Sequence, residues 1–178
     1  MALAHPDAVR GLVLEGGSPG IADSVERAAR ADADAALAAS IERDGLERFV
    51  DAWLAQPLFA TQASLPADVR RRERARRLGG SAAGYAAALR AMGTGTQEPL
   101  WGRLAEIRAR VLLVAGARDV KYCGLARAMA AALRDARVAI VPGAGHAVHL
   151  ERPDAWLDEV ESFLGAAHEQ VRAVAMSA

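Results

Sequence analysis

Two residues in the C-terminal half have types and placement suited to acid–base chemistry: Asp119 and His146. A carboxylate that accepts the Nδ1 proton of an imidazole fixes its tautomer and stabilises the imidazolium, which leaves Nε2 able to take a proton. Taken singly, an Asp in a turn and a His on a loop more often cap or pack than catalyse. The stretch around them makes the pairing more specific. Residues 109–150 read as strand, loop, helix, strand, loop. ARVLLVAGARD is a short apolar run that ends on a charged turn, and YCGLARAMAAALRDA has helical spacing. RVAIVPGAGHAVHLERP is a second apolar run, ending in a Gly-rich turn that carries His146. Two buried parallel strands joined by a crossover helix fit this order. Ligands of such sheets bind beyond the carboxyl ends of the strands. Asp119 and His146 each fall a few residues past one.

Composition narrows the field. A chain of 178 residues is long enough for one domain with a real core. Apolar content is 52% while aromatics are only 4%, so Ala-rich helices are expected. The net charge is zero, and nothing global favours nucleic acid or a membrane surface. One cysteine, Cys123, rules out an internal disulfide and suits a reducing compartment. No basic-then-apolar leader is visible and no apolar run reaches the length of a membrane span, so a cytoplasmic protein is expected. No clustered His, Cys or carboxylate spacing suggests a metal, and no cofactor is expected.

The segments that must position the pair follow in order. MALAHPDAV reads as the last turn of a helix, ended at His5-Pro6, before the strand VRGLVLEGG. That opening reads as though chain upstream were missing. Gly16-Gly17-Ser18-Pro19-Gly20 matches the nucleophile-elbow pattern G-x-S-x-G. Its physics argues against that role. The N–H after an elbow serine forms half of an oxyanion hole, and Pro19 has none. Proline also holds Ser18 extended rather than in a tight turn.

From Ile21 to about Met92 four helical stretches follow one another. Asp23 or Ser24 starts the first, Pro57 stops the second, Pro66 opens the third before Gly79-Gly80, and SAAGYAAALRAM is the fourth. About seventy residues of helix between two strands exceed any ordinary crossover and predict an inserted helical cap over the strand ends. The expected division is residues 1–20 and 97–178 as an α/β core, and 21–96 as the cap. Pro99 to Ile107 should form a short helix before the second strand. After His146, Glu151-Arg152-Pro153 opens a final helix with Trp156, Val160, Phe163 and Leu164 on one face. His149 and His168 show no evident partner. In the cap, Arg70, Arg71, Arg72, Arg74, Arg76 and Arg77 crowd one helix. A solvated face balanced by Asp68 and Glu73 is the plain reading. The alternative is that one or two of them clamp substrate carboxylates through the planar guanidinium fork.

HPDAVRGLVLEGGSPG, DAWLAQPLF, LRAMGTGTQEPLW, LLVAGARDVKY and VPGAGHAVHLERP occur in that order. In that order they resemble the 2-succinyl-6-hydroxy-2,4-cyclohexadiene-1-carboxylate synthases of menaquinone biosynthesis, from about Ala4 to Leu164. The acid and histidine motifs are common to many α/β-hydrolases, whereas EGGSPG, WLAQPLF and MGTGTQEPLW are much narrower. The resemblance implies the C-terminal part of an α/β-hydrolase fold with an inserted helical cap. It implies a lyase without cofactor that abstracts a proton from 2-succinyl-5-enolpyruvyl-6-hydroxy-3-cyclohexene-1-carboxylate and expels pyruvate with a Ser-His-Asp set. By motif position, Asp119 and His146 match the acid and base. Arg30, Trp53 and Arg77 match the family's substrate-contacting residues. A small anionic substrate with several carboxylates suits bidentate cations beside a dry apolar wall. Packing within the cap is the plain reading of Trp53, and Arg76 could replace Arg77 under a one-residue shift.

One departure matters. The family's serine lies in an elbow of the form G-Y-S-x-G-G-R, and these 178 residues contain no such segment. The chain therefore reads as the C-terminal two thirds of the enzyme, with negligible turnover expected alone. Three strands, near Leu12, Leu113 and Ala139, would leave a sheet edge able to pair with another copy. Two other readings stay open: a hydrolase of esters or thioesters with the same fold, and a non-catalytic protein that binds through the cap.

Overall fold

Leu112 and Val114 send their side chains to one face of a strand, and Val111, Leu113 and Ala115 to the other. All five are buried. A strand apolar on both faces belongs in the middle of a covered parallel sheet, and that is its place in the computed structural model. The structure describes residues 1–176, with side chains as far as Gly165 in the last helix, so His168 lies outside the described side chains. The sheet comprises β1 (Gly11–Glu15), β2 (Arg110–Gly116) and β3 (Ala136–Val141) in the order β1-β2-β3, with both pairings parallel. Leu113 stands opposite Leu14 on one side and Val138 on the other.

Helices cover both faces. Helix α5 (Val120–Ala132) crosses from β2 to β3 and buries Cys123, Ala126 and Met129 against the Val111, Leu113 and Ala115 face. Beyond β3 come α6 (Val148–Glu151) and α7 (Pro153–Met176). Phe163, Trp156 and Val160 of α7 pack on the Leu112 and Val114 face. Leu164 does not join them: it is 49% exposed, so the apolar stripe of α7 is narrower than its sequence suggests. The final helix begins at Pro153, where the sequence places it, and a short helix the sequence does not suggest, α6, precedes it; the two are separated at Arg152 because the residue before Pro153 is pushed out of helical geometry.

The chain divides into two compact units, one of residues 1–18 with 101–178 and one of residues 19–100. In the second unit α1 (Ser24–Asp44) begins at an Asp23 cap that accepts the Glu26 N–H at 2.8 Å. Helices α2 (Leu46–Leu54), α3 (Ala67–Leu78) and α4 (Ala82–Met92) follow, with α1 packed along α4. Pro57 ends the second helical stretch as its fixed φ requires and starts a 3-10 helix, Pro57–Ser64, whose buried residues Phe59 and Gln62 share a face. The segment before β2, Trp101–Glu106, is also a 3-10 helix. At the ends of the helical unit the Leu100 N–H donates to the Pro19 carbonyl at 2.7 Å, so its entering and leaving strands lie side by side.

Candidate active site

The loops after β2 and β3 are laced together by their backbones. Ala117 N–H donates to the Val141 carbonyl and Arg118 N–H to the Ala144 carbonyl, each at 2.9 Å. That lacing sets the residue after each loop beside the other. Asp119 is the N-cap of α5: its Oδ1 accepts the Tyr122 N–H at 3.2 Å. Its Oδ2 lies 2.8 Å from His146 Nδ1. A carboxylate has no hydrogen to give, so Nδ1 donates and Nε2 carries the basic lone pair. Asp119 is 9% exposed, which keeps competing water from the pair.

Three further groups hold the imidazole. The Tyr122 ring lies against it, 4.6 Å between centroids. Glu151 accepts the N–H of Gly145 at 2.7 Å and pins the loop just before His146. Gly16, at the end of β1, has φ +54°, and a Cβ there would sit 2.8 Å from His146 Cε1. Only glycine fits both the backbone and the gap. None of these three was found from sequence; Gly16 was visible only as part of a rejected serine motif. Ser18 itself sits in irregular chain, with α1 starting six residues on. Among the described residues no non-glycine has positive φ, so Ser18 lacks the strained backbone of an elbow serine.

His149 was expected to lack a partner, and the structure corrects this. Its Nδ1 lies 2.9 Å from Glu15 Oε1, and its N–H donates to the same oxygen at 3.2 Å. The two residues are 134 apart in sequence, beyond the reach of local spacing. Burial pushes the Cys123 thiol up from its ordinary value, and its Sγ lies 3.2 Å from the Gly116 carbonyl. Among the described residues no group of His, Cys, Asp and Glu is arranged to hold a metal, and no helix is long and apolar enough to cross a membrane.

The other three predicted residues belong to the helical unit. Trp53 stacks at a tilt on Phe49 and Phe59, with centroids 5.6 and 5.9 Å away. Arg77 donates from Nη1 to Glu73 Oε2 at 2.8 Å, and its carbonyl accepts the Tyr85 hydroxyl. Trp53 and Arg77 line one cavity of about 340 Å³ together with Phe49, Tyr85 and Gly93. Arg30 is not on that lining; its Nε donates to Asp34 Oδ1 at 2.8 Å, and Asp34 touches the cavity wall at Gly93. A larger hollow of about 660 Å³, between the end of α2 and the start of α3, carries none of the five.

Most of the arginine run is paired. Arg72 meets Asp68, Arg74 meets Asp51 and Glu47, and Arg76 and Arg77 share Glu73. The hydrogen bond from Arg76, with a second from Arg77, holds the Glu73 carboxyl below its ordinary value of 4.5.

Comparison with known proteins bears on the fold. A family model described as "Alpha/beta hydrolase family" matches residues 1–159. A Bacillus subtilis protein provisionally named 2-succinyl-6-hydroxy-2,4-cyclohexadiene-1-carboxylate synthase is 43% identical over 163 residues, covering 92% of this chain and 60% of that protein. The synthase of that name from Serratia proteamaculans is 34% identical, covering 90% of this chain and 60% of its own. Among solved structures, MenH from S. aureus superposes with a TM-score of 0.90 at 33% identity, over 94% of this chain and 64% of that one. The chain thus spans about 60% of the length of the curated relatives it matches.

Proposed function

The chain belongs to the alpha/beta hydrolase family, and on that premise we propose that it carries the acid–base half of a lyase site. The reaction is elimination of pyruvate from 2-succinyl-5-enolpyruvyl-6-hydroxy-3-cyclohexene-1-carboxylate. A proton leaves ring C2, its electron pair forms a C2=C3 double bond, the existing C3=C4 double bond shifts to C4=C5, the C5–O bond breaks, and the released enolpyruvate takes up a proton at its methylene carbon to become pyruvate. His146 is the base that carries the proton, and Asp119 orients it and stabilises its charged form. Arg30 and Arg77 hold substrate carboxylates, and Trp53 supplies an apolar wall beside them.

The observation that carries this reading is the 2.8 Å contact of His146 Nδ1 with Asp119 Oδ2, made at the carboxyl ends of β2 and β3. The 43% identity to the Bacillus subtilis protein supports the choice of substrate. A serine in the elbow form G-Y-S-x-G-G-R does not occur in these 178 residues. The proposal for this chain is therefore confined to the acid, the base and the carboxylate-binding groups, with negligible turnover by the 178 residues alone.

The test is pyruvate release from that substrate. It is run on the 178-residue chain and on the same chain preceded by the opening part of the Bacillus subtilis relative. The shorter protein is expected to release none. The longer one is expected to turn over, and His146→Ala should cut its rate by about 10³-fold or more. Steady release by the shorter protein, or an unaffected His146→Ala variant, would contradict the proposal. Cleavage of p-nitrophenyl esters by the longer protein with no pyruvate formed would replace the lyase by a hydrolase.

A further inference from the structure

We infer that Asp34 is a positioning residue for carboxylate recognition, acting by fixing the guanidinium of Arg30 so that its two terminal nitrogens face outward as a fork. The inference rests on the reading of Arg30 as a substrate-binding residue and adds what holds it in place.

Asp34 is 3% exposed, the most buried acidic side chain among the described residues. It stands in α1 one turn beyond Arg30, and Oδ1 accepts the Arg30 Nε–H at 2.8 Å. Its other oxygen, Oδ2, is buried with no hydrogen-bond partner among the described residues. An exposed pair at this spacing would stabilise the helix slightly and leave both oxygens in water. Burying the carboxylate with one oxygen unpaired costs more than such a pair returns. Helix stability therefore does not account for the arrangement, whereas rigidity of the arginine does.

The loop after α4 enforces the burial. A Cβ on Gly93 would meet Asp34 Oδ2 at 2.6 Å, and a Cβ on Gly95 would collide with the backbone of Ala31 and Arg30. The two glycines of the MGTGTQEP motif let this loop lie directly on the turn of α1 that bears the pair.

Arg30 is anchored differently from most of the hydrogen-bonded arginines. Arg27, Arg74, Arg76, Arg77 and Arg90 each commit a terminal nitrogen to an oxygen of the protein. Arg30 commits only Nε, and neither terminal nitrogen has a partner among the described residues, while the side chain is 44% exposed. A guanidinium tethered by Nε presents its remaining N–H groups in a plane that matches a carboxylate bidentately. Loss of the tether leaves the charge but frees the plane.

The test compares acetate with chloride, two anions of equal charge. Each is titrated into the 178-residue chain and read on the Arg30 side-chain NMR signals, or on overall chemical shifts where Arg30 is removed. Because both anions see the same charge, the ratio of their dissociation constants cancels the change in field when Asp34 is altered. Only the planar anion uses the fork. Asp34→Ala is expected to cut the preference for acetate about tenfold, the scale of coupling between contacting residues. Asp34→Asn keeps the shape and an acceptor for Nε, so it should retain most of the preference. If Asp34→Ala does not fold, Asp34→Ser, whose hydroxyl is too short to replace the carboxylate at Nε, carries the same comparison. In an Arg30→Ala background, changing Asp34 should leave the ratio untouched. An unchanged ratio in the single variants, no acetate preference in the wild type, or an equal loss with Arg30 already removed would each overturn the inference. Absence of pyruvate release by the longer protein of the preceding test, with this pattern intact, would instead fault the lyase reading alone.

Discussion

Replacing Asp119 by Asn and by Ala separates its two tasks. Oδ1 caps α5 through Tyr122 N–H, and Oδ2 orients His146. Asparagine caps a helix about as well as aspartate, while alanine forfeits about 1 kcal/mol. Asp119→Ala should therefore lower stability by about 1 kcal/mol, or about 2–4 °C in Tm for a chain of this size, with a further loss from the unpaired imidazole nitrogen. Asp119→Asn should stay close to wild type. The imidazole responds differently. An amide nitrogen in place of Oδ2 donates where a proton acceptor stood, so His146 must move its hydrogen from Nδ1 to Nε2. In enzymes with a Ser-His-Asp set such a switch costs on the order of 10⁴ in turnover with the geometry intact. Urea unfolding and the ¹⁵N shifts of the His146 ring measure the two effects separately. The reasoning fails if Asn and Ala destabilise equally, or if the Nδ1–H tautomer persists in Asp119→Asn.

Gly16→Ala should cost about 1–2 kcal/mol for its left-handed backbone, and it should also disturb the His146 ring signals, because the new methyl lies on Cε1. Thermal melts and histidine NMR would show both together. Cys123, buried with its thiol pushed up, should react with iodoacetamide at pH 8 far more slowly than an unfolded control. Glu73 has a folded-state value below its ordinary 4.5, so its stabilisation is present above that pH and is lost as pH falls through the lowered value. The stability gap between wild type and Glu73→Gln should accordingly be full well above the ordinary 4.5 and shrink as pH falls below it in urea titrations.

Sequence disclosed what depends on near neighbours. The apolar runs of β2 and β3, the cap at Asp23, and the breaks at Pro57 and Pro153 all act within a few residues of themselves. The Asp119–His146 pair was legible because the crossover between parallel strands fixes where both loops emerge. Asp34 was not. In an Ala-rich helix it looks like any exposed carboxylate, and its burial depends on Gly93, which returns 59 positions later. The Arg30-x-x-x-Asp34 spacing was the one local clue, and it occurs on many solvated helices. Glu15 and His149 meet only because α6 begins where β1 ends. Leu164 fits the stripe of α7 in period, yet it is half exposed while its neighbour Phe163 is buried.

The clasp between Pro19 and Leu100 has a consequence for how such a protein can diversify. Eighty-odd residues leave the main chain and come back through a doorway one hydrogen bond wide. A segment tied off in that way can be cut out and another spliced in, provided the newcomer's ends also meet, without changing the spacing of the strands on either side. Such an excursion can therefore be exchanged wholesale while the Asp119–His146 contact keeps its place.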